Sequence, residues 1–234
     1  MIPKRLHYVW VGGPLPARYQ AHVDGWRRLH PDWEITRWSE ANIDLSHPLI
    51  ARAYRLRKWS TVADAARLMA VHAHGGIYLD TDIEVLQPLD SLLHQHCFLA
   101  FQGAAKASDL VANGCFGAVA GHWFIGEALQ TLLRMRPIPF GLDRPTRYGP
   151  KLITRLLRRH GLRQEAPDGI DIGDIRILPA PVFFPYAYGA EFTPACIRDT
   201  TLAIHWWDRS WAKDLPLPVR MAQAVKRRVE QAWA

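Results

Sequence analysis

The chain has 234 residues, of which 49% are hydrophobic and 22% are charged, and its formal net charge is +7. A chain of this length and composition can bury a full hydrophobic core, which excludes wholesale disorder. The cysteines Cys97, Cys115 and Cys196 are scattered and lack CxxC spacing. This pattern excludes a disulfide scaffold and a structural zinc knuckle, and it favours a reducing compartment.

The sequence shows no sign of membrane insertion or secretion. No apolar run reaches the roughly 20 residues that a membrane-spanning helix requires. The charged start of the chain is not followed by the apolar segment of a secretory signal. We therefore expect a cytoplasmic protein.

Basic residues are concentrated in one part of the chain. Between Arg134 and Arg163 there are nine Lys and Arg residues and one acidic residue, Asp143. A stretch of this sign attracts the phosphates of a nucleotide, a nucleic acid or an anionic lipid surface. A solvated helix face would account for the same pattern equally well.

Hydrophobic periodicity and the positions of glycine and proline predict alternating strands and helices. The predicted elements are, in chain order, a strand at 2–11, a helix at 17–29, a strand at 33–38, a helix ended by Gly75 and Gly76, a strand at 77–79, a helix at 152–162, a strand at 175–178, an aromatic-rich loop at 179–194, a strand at 201–206 and a helix at 217–234. This order predicts an α/β fold with a mostly parallel, Rossmann-like mixed sheet flanked by helices. We expect one domain at 1–216, followed by the C-terminal helix.

The helix before Gly75 has a predicted start as well as a predicted end. Ser60 and Thr61 can cap it, and Asp64 stands three residues after Thr61, as in a capping box. Asp64 and Arg67 are spaced i, i+3 and can share one face of this helix. In isolation, that pair is also compatible with a surface ion pair of little energetic value.

The strongest chemical signal is the segment Tyr78-Leu79-Asp80-Thr81-Asp82. Asp80 and Asp82 follow a short buried-type strand, so they lie at the carboxyl edge of the sheet, where α/β folds bind ligands. In an extended segment the two carboxylates point the same way. Carboxylate oxygens are preferred ligands of Mg²⁺ and Mn²⁺, so this pair is a candidate metal site, and two solvated turn aspartates would give the same pattern.

Two further positions stand at predicted strand ends. Trp10 precedes Gly12 and Gly13, where an exposed indole could stack on a nucleobase, although core packing is the usual role of tryptophan. His205 lies near the end of the chain, with Asp208 and Trp211 close by in sequence. A histidine in such a place is either a packed residue or a metal ligand.

Taken together, these motifs form an ordered set that resembles a known family. The set comprises Ile2-Pro3-Lys4, His7 to Gly13, Asp64-x-x-Arg67, Gly75 to Asp82, Asn113-Gly114, Gly149-Pro150 and His205-x-Trp207-x-x-Ser210-Trp211. It is similar to the DXD-containing sugar transferases that include bacterial capsular-polysaccharide glycosyltransferases and the fungal initiating mannosyltransferase. The clostridial glucosylating toxins look like distant relatives. Ala63 and Leu68 depart from the family pattern.

The resemblance implies a GT-A fold and a metal-dependent transfer of a hexose with retention of anomeric configuration. The donor it implies is a UDP-sugar or GDP-mannose, and the acceptor is a glycan, a polysaccharide or a lipid-linked glycan. A nucleic-acid partner is not expected. Mn²⁺ or Mg²⁺ is the implied cofactor, and polysaccharide or capsule biosynthesis is the implied process.

The resemblance also implies roles for individual residues. Trp10, next to Val9, would stack on the base; Asp64 and Arg67 would hold the donor sugar; and Asp80 would contact ribose or sugar hydroxyls. Asp82 would bind the metal together with Asp80 and either His205 or, in reserve, Asp208. Ser210 and Trp211 would bind the donor, with the Trp211 indole N–H near the β-phosphate.

Two other classes of protein share some of these features. An aspartyl-phosphate hydrolase also places D-x-D after a strand, but it has Thr or Val where this chain has Glu84, and its motif usually opens the domain. A nucleic-acid-binding module would explain the basic stretch at 134–163, yet no nucleic-acid motif is present. Both classes remain alternatives.

The C-terminal helix predicted at 217–234 is amphipathic and basic. Ala222, Val225, Val229 and Trp233 recur at helical spacing on one side, and Arg220 and Arg227 lie on the other. Such a helix either packs on the domain or lies in an anionic membrane interface. We expect weak peripheral attachment to the inner face of a membrane.

Overall fold

The computed structural model describes residues 1–103, 109–138 and 145–208. Among these residues, the strands are Arg5–Val9 (β1), Glu34–Trp38 (β2), Gly76–Leu79 (β3), Ile83–Val85 (β4), Cys97–Ala100 (β5), Cys115–Ala118 (β6), Ile170–Ile172 (β7), Ile175–Leu178 (β8) and Ala203–His205 (β9). The α-helices are Ala17–Leu29 (α1), Pro48–Arg55 (α2), Trp59–His74 (α3), Trp123–Arg134 (α4) and Pro150–Arg159 (α5).

Seven strands form one mixed sheet in the order β2-β1-β3-β6-β5-β8-β7. Strand β1 runs parallel to β2 and β3, and β5 runs parallel to β8. Strand β6 is antiparallel to β3 and β5, and β7 is antiparallel to β8. Hence β2, β1, β3, β5 and β8 all point one way, and the predicted mostly parallel mixed sheet is confirmed. A separate ribbon pairs β4 with β9.

Hydrophobic cores cover both faces of the sheet. Alternation along β3 sends Tyr78 into one core and Ile77 and Leu79 into the other. The core around Tyr78 is filled by α2, α3, α4 and α5, and the opposite core receives Val23 and Trp26 of α1. The predicted flanking helices are therefore present on both sides.

Most of the predicted elements are found, with small differences at their ends. Helix 17–29 and strand 175–178 have the predicted bounds. The strands predicted at 2–11 and 201–206 are shorter, at 5–9 and 203–205. The helix predicted at 152–162 runs from 150 to 159.

The predicted cap of α3 is wrong. The N-cap residue is Lys58, and Ser60 and Thr61 lie inside the first turn, where the Thr61 N–H donates to the Lys58 carbonyl at 2.9 Å. Helix α2 ends at Arg55, and Arg57 adopts φ 52°, so the chain reverses directly into α3. Asp64 consequently lies one full turn into the helix and is available to the site described below.

Several predictions concern residues outside the described ranges. The helix at 217–234, Ser210, Trp211 and part of the basic stretch at 134–163 are not among the described residues. Within the described ranges, no helix has the length and apolar character needed to cross a membrane. The division at residue 216 stays a prediction.

Candidate active site

Asp80 and Asp82 lie in a tight turn between β3 and β4, at the carboxyl end of β3. The Ile83 N–H closes this turn by donating to the Asp80 carbonyl at 3.0 Å. The segment is therefore a turn, and the expectation of an extended segment is wrong. Both carboxylates nevertheless face His205, which the antiparallel β4–β9 ribbon places opposite Ile83.

Three side chains converge at this place. The His205 Nε2 atom lies 3.3 Å from Asp82 Oδ1 and 4.0 Å from Asp80 Oδ2. One ligand atom from each residue can be chosen so that all three lie within 4.8 Å of one another. Among the described residues, Asp80, Asp82 and His205 form the group of acidic, histidine or cysteine side chains whose ligand atoms are close enough to hold one metal ion.

The carboxylate of Asp82 is buried and fixed by the segment after β9. Its Oδ2 atom accepts the backbone N–H of Asp208 at 2.8 Å, and the Asp82 carbonyl accepts the N–H of Trp206 at 3.0 Å. Burial alone would raise the pKa of Asp82, but the charge of His205, its hydrogen bond to Asp82 and the Asp208 N–H offset burial and lower the pKa. Asp82 is therefore held as an oriented carboxylate.

Asp80 is held from the opposite side. The Tyr78 hydroxyl donates to Asp80 Oδ1 at 2.7 Å, and the Arg67 Nη2 atom lies 3.1 Å from the same oxygen. Burial raises the pKa of Asp80, opposed mainly by the charge of Arg67, while the nearby Asp82 raises it further. The two aspartates thus carry different environments: one is aligned by backbone amides and the other by a tyrosine and an arginine.

Arg67 and Asp64 form a buried network behind the carboxylates. The Arg67 Nη1 atom donates to the Asn113 carbonyl at 2.6 Å, and its Nη2 lies 3.5 Å from Asp64 Oδ1. The Asn113 side-chain amide donates to Asp64 Oδ1 at 2.7 Å. Burial raises the pKa of Asp64 to about 6, although the charge of Arg67 and the Asn113 hydrogen bond oppose that rise. The predicted shared helix face of Asp64 and Arg67 is confirmed, and both residues are almost fully buried.

Val9 at the end of β1 and Trp10 directly after it lie at the same edge of the sheet. Val9 is buried, whereas Trp10 is half-buried, donates its indole N–H to the Pro14 carbonyl at 3.1 Å and packs against the Tyr19 ring. The Gly12 N–H donates to the Glu40 carboxylate at 2.6 Å, which fixes the loop. Gly12 adopts φ 87°, and a Cβ there would come 2.6 Å from the Trp59 indole.

Two glycines permit close packing around the carboxylates. A Cβ at Gly114 would stand 2.7 Å from Asp80 Oδ2, and a Cβ at Gly149 would stand 2.5 Å from the Asn113 amide nitrogen. These distances are shorter than any ordinary van der Waals contact. Glycine at both positions therefore leaves room for Asp80 and for the amide that bonds Asp64.

The chemistry of the donor atoms fits a divalent cation such as Mn²⁺ or Mg²⁺. Two carboxylates and one imidazole nitrogen converge, and their ligand atoms are close enough to share one ion. The buried Nδ1 atom of His205 has no hydrogen-bond partner within the described ranges, and Nε2 is the nitrogen that faces both carboxylates. The Asp208 carboxylate is turned towards α1, where it bonds Tyr19 and Arg18.

Sequence reasoning did not anticipate several contacts of the site. The Tyr78 hydroxyl, the Asn113 side chain and the Tyr19–Asp208 hydrogen bond were given no role. In the sequence, Asn113 belongs to the Asn113-Gly114 landmark and Tyr78 belongs to the strand before Asp80. Ser210 and Trp211 lie outside the described part of the chain.

Comparison with known proteins supports the resemblance seen in the sequence. Residues 16–99 match the family described as "Glycosyltransferase sugar-binding region containing DXD motif". Inositol phosphoceramide mannosyltransferase 1 of Schizosaccharomyces pombe is 26% identical over 78% of this chain and 57% of its own length. Human alpha-1,4-N-acetylglucosaminyltransferase is 29% identical over 65% of this chain and 39% of its own length. The resemblance to DXD-containing sugar transferases is confirmed.

The chain spans 57% of the length of the first of these curated relatives and 39% of the length of the second. Among solved structures, the PaToxG glycosyltransferase is similar, with a TM-score of 0.51, 14% identity, and coverage of 68% of this chain and 69% of that one. At that identity the likeness concerns the fold alone, and it agrees with the predicted GT-A fold. The homologues and this structural neighbour are glycosyltransferases.

Proposed function

We propose that the chain is a metal-dependent glycosyltransferase that moves a hexose from a nucleotide-sugar donor to a glycan or lipid-linked acceptor. The observation that carries this proposal is the convergence of Asp80, Asp82 and His205 at the carboxyl end of β3. Two of these residues form the D-x-D of the segment that matches the sugar transferase family, and the third comes from a strand more than 100 residues away.

Each side chain has a proposed role that agrees with its contacts. Asp82 and His205, with Asp80, would hold Mn²⁺ or Mg²⁺. When bound, this ion supplies positive charge that stabilises the departing nucleoside diphosphate. Arg67 adds a fixed, buried positive charge beside Asp80. Because Asn113 and Arg67 fix the orientation of Asp64, Asp64 would present its carboxylate to a sugar hydroxyl in one defined position.

The nucleotide would lie between the loop after β1 and the segment after β9. Trp10, beside Val9, is only half-buried, so its ring can stack on a base while Glu40 fixes the loop that follows it. Ser210 and Trp211 would complete the donor site near the β-phosphate. Retention of anomeric configuration requires no general base in a front-side reaction, and we propose it on the family resemblance.

Nucleotide-sugar binding is the direct test. Purified protein is screened with UDP-, GDP- and CMP-sugars in the presence of Mn²⁺, and the midpoint of thermal unfolding and the release of nucleotide are measured. A ligand that binds only the folded state raises this midpoint. Stabilisation by one nucleotide class with metal-dependent transfer is the expected result, and no stabilisation by any nucleotide sugar contradicts the proposal. Turnover of a generic aryl phosphate would instead favour the hydrolase alternative.

Asp82→Asn provides the matched mutational test. We expect this variant to fold and to lose both turnover and metal-dependent nucleotide binding, with Asp80→Asn nearly as severe. The control is Asp171→Asn, which removes a carboxylate from an exposed ion pair with Arg176 on the far edge strand. Substantial activity of Asp82→Asn with Mn²⁺ would exclude the proposed ligand set.

We further propose a cytoplasmic location with peripheral attachment to an anionic membrane. Helix α5 supports this proposal, because Leu152, Leu156 and Leu157 are buried while Arg155 and Arg159 are exposed. Two of the matched relatives act, by their names, on inositol phosphoceramide, which is a lipid. The test is co-sedimentation with anionic and neutral vesicles, comparing the full chain with one that ends at residue 216. Equal recovery with both lipids contradicts the attachment.

A further inference from the structure

The buried tyrosine of α1, Tyr19, is hydrogen-bonded to the segment that follows β9. Its hydroxyl donates to Asp208 Oδ2 at 2.7 Å and accepts from Arg18 Nη2 at 2.7 Å. The same Arg18 nitrogen lies 2.8 Å from Asp208 Oδ2, and the Arg18 guanidinium sits 4.5 Å from the centre of the Tyr19 ring. The Asp208 carboxylate is therefore anchored to α1 by two donors.

Asp208 also contacts the metal-site carboxylate through its main chain. Its N–H donates to Asp82 Oδ2 at 2.8 Å, which leaves Asp82 Oδ1 to face His205 Nε2 at 3.3 Å. Trp207, which directly precedes Asp208, adopts φ 57°, a left-handed conformation that a non-glycine residue rarely takes. Asp208 is thus held by α1 through its side chain while its N–H donates to the Asp82 carboxylate.

Tyr19 touches the base side of the site as well. The centres of the Tyr19 and Trp10 rings lie 5.1 Å apart, and Tyr19 is only 2% exposed. One rigid side chain therefore contacts the residue proposed to stack on the base and, through Asp208, the carboxylate proposed to bind the metal. Such a connection permits the two ends of the donor to be bound cooperatively.

We propose that Tyr19 and Arg18 are positioning residues that orient Asp82 through Asp208 and couple nucleotide binding to metal binding. This inference rests on the proposed function, since it requires Asp82 to be a metal ligand. Loss of a hydrogen-bonding partner that orients a metal ligand typically weakens metal binding by about 10- to 100-fold. Neither residue needs to touch the metal or the donor to have this effect.

The test uses Tyr19→Phe in the full chain, because this change removes the hydroxyl and keeps the ring against Trp10. Mn²⁺ binding is measured by calorimetry, alone and with saturating UDP or GDP, and nucleotide binding is measured without metal. We expect about ten-fold weaker Mn²⁺ binding, unchanged metal-free nucleotide binding and a smaller enhancement of each ligand by the other. Tyr8→Phe, at a buried tyrosine of β1, is the control and should leave all three values unchanged.

Arg18→Gln is the second variant, because the Arg18 side chain is 53% exposed and its replacement does not disturb the core. It should weaken Mn²⁺ binding in the same direction as Tyr19→Phe. Asp82→Asn serves as the reference for the proposed function. If Asp82→Asn abolishes Mn²⁺ binding while Tyr19→Phe and Arg18→Gln bind as the wild type does, the inference is wrong and the proposed function stands. If the wild type binds neither Mn²⁺ nor Mg²⁺, with or without nucleotide, both are wrong.

Discussion

Gly114 lies against the carboxylate of Asp80, and a Cβ at position 114 would come 2.7 Å from Asp80 Oδ2 and 3.6 Å from His205 Nε2. The same glycine accepts the Asp80 N–H through its carbonyl at 2.7 Å. The backbone before β6 therefore forms one wall of the candidate metal site. A side chain at this position would occupy the space between two of the proposed ligands.

Gly114→Ala should abolish most of the metal affinity while the fold survives. The added methyl group forces Asp80 away from its contacts with Tyr78 and Arg67, and a displacement of this kind misplaces a ligand. We expect at least a ten-fold increase in the Mn²⁺ dissociation constant, in keeping with the cost of disturbing a ligand's support. Gly25→Ala in α1 is the control, because a Cβ there meets only the end of Arg28 at 3.7 Å. If both variants bind Mn²⁺ equally tightly, the space beside Gly114 does not limit metal binding.

Asp64→Asn should change how stability depends on pH. The pKa of Asp64 is raised from 3.8 to about 6 in the folded protein, chiefly by burial, so the folded state holds this proton more tightly than the unfolded chain does. The contribution of Asp64 to the wild-type free energy of unfolding is therefore lost as the pH rises from about 4 to about 6. Asparagine does not ionise, so the variant should gain relative stability across this window, by roughly 1 to 3 kcal/mol.

Denaturant unfolding of the wild type and Asp64→Asn between pH 4 and pH 8 measures this difference. A difference that does not vary with pH would show that Asp64 is not the titrating group. The same variant separates stability from binding. If Asp64 holds the donor sugar, Asp64→Asn binds the nucleotide normally and binds the nucleotide sugar less tightly.

Arg67→Ala should be strongly destabilising. Arg67 is 5% exposed and bonds Asp80, Asp64 and the Asn113 carbonyl, so its removal leaves buried carboxylates without their countercharge. The expected loss is about 3 to 5 kcal/mol in the free energy of unfolding. Arg27→Ala is the control, since Arg27 pairs with Asp24 at the surface and should cost less than about 1 kcal/mol. If the two variants lose similar amounts of unfolding free energy, Arg67 is not needed as the countercharge of Asp64 and Asp80.

His205→Ala and Asp208→Asn should have unequal effects on metal binding. His205 Nε2 faces both carboxylates, whereas the Asp208 carboxylate is directed to Tyr19 and Arg18. We expect His205→Ala to weaken Mn²⁺ binding by more than about ten-fold. Asp208→Asn retains an oxygen for the Tyr19 hydroxyl and should have a smaller effect. A larger effect of Asp208→Asn would identify Asp208 as the ligand and His205 as a packed residue.

Local sequence patterns predicted the parts of the site that are close together in the chain. The glycines before β3, the apolar strand and the paired aspartates are contiguous, and Asp64 and Arg67 lie on one turn of α3. Periodicity and strand-end position are enough to place such residues. The start of α3 was missed because the reversal at Arg57 brings α2 straight into α3, and tertiary packing there overrides the capping signal.

Contacts between distant parts of the chain could not be read from local patterns. Asn113 meets Asp64 across 49 residues, and Tyr19 meets Asp208 across 189 residues. The short apolar segments of β5 and β6 lack the alternation that distinguishes a strand from a helix. The order of strands in the sheet is what brings β6 beside β3 and β5 beside β6.

The β4–β9 ribbon also imposes an order on biosynthesis. Ile83 pairs with His205, so the third proposed ligand is joined to the two aspartates by a strand that is translated more than 100 residues after them. A nascent chain that ends before residue 203 holds Asp80 and Asp82 but neither His205 nor the Asp208 amide that orients Asp82. A ribosome-bound chain of that length therefore carries an unfinished site, and the proposed set of metal ligands is complete only after β9 has emerged and paired with β4.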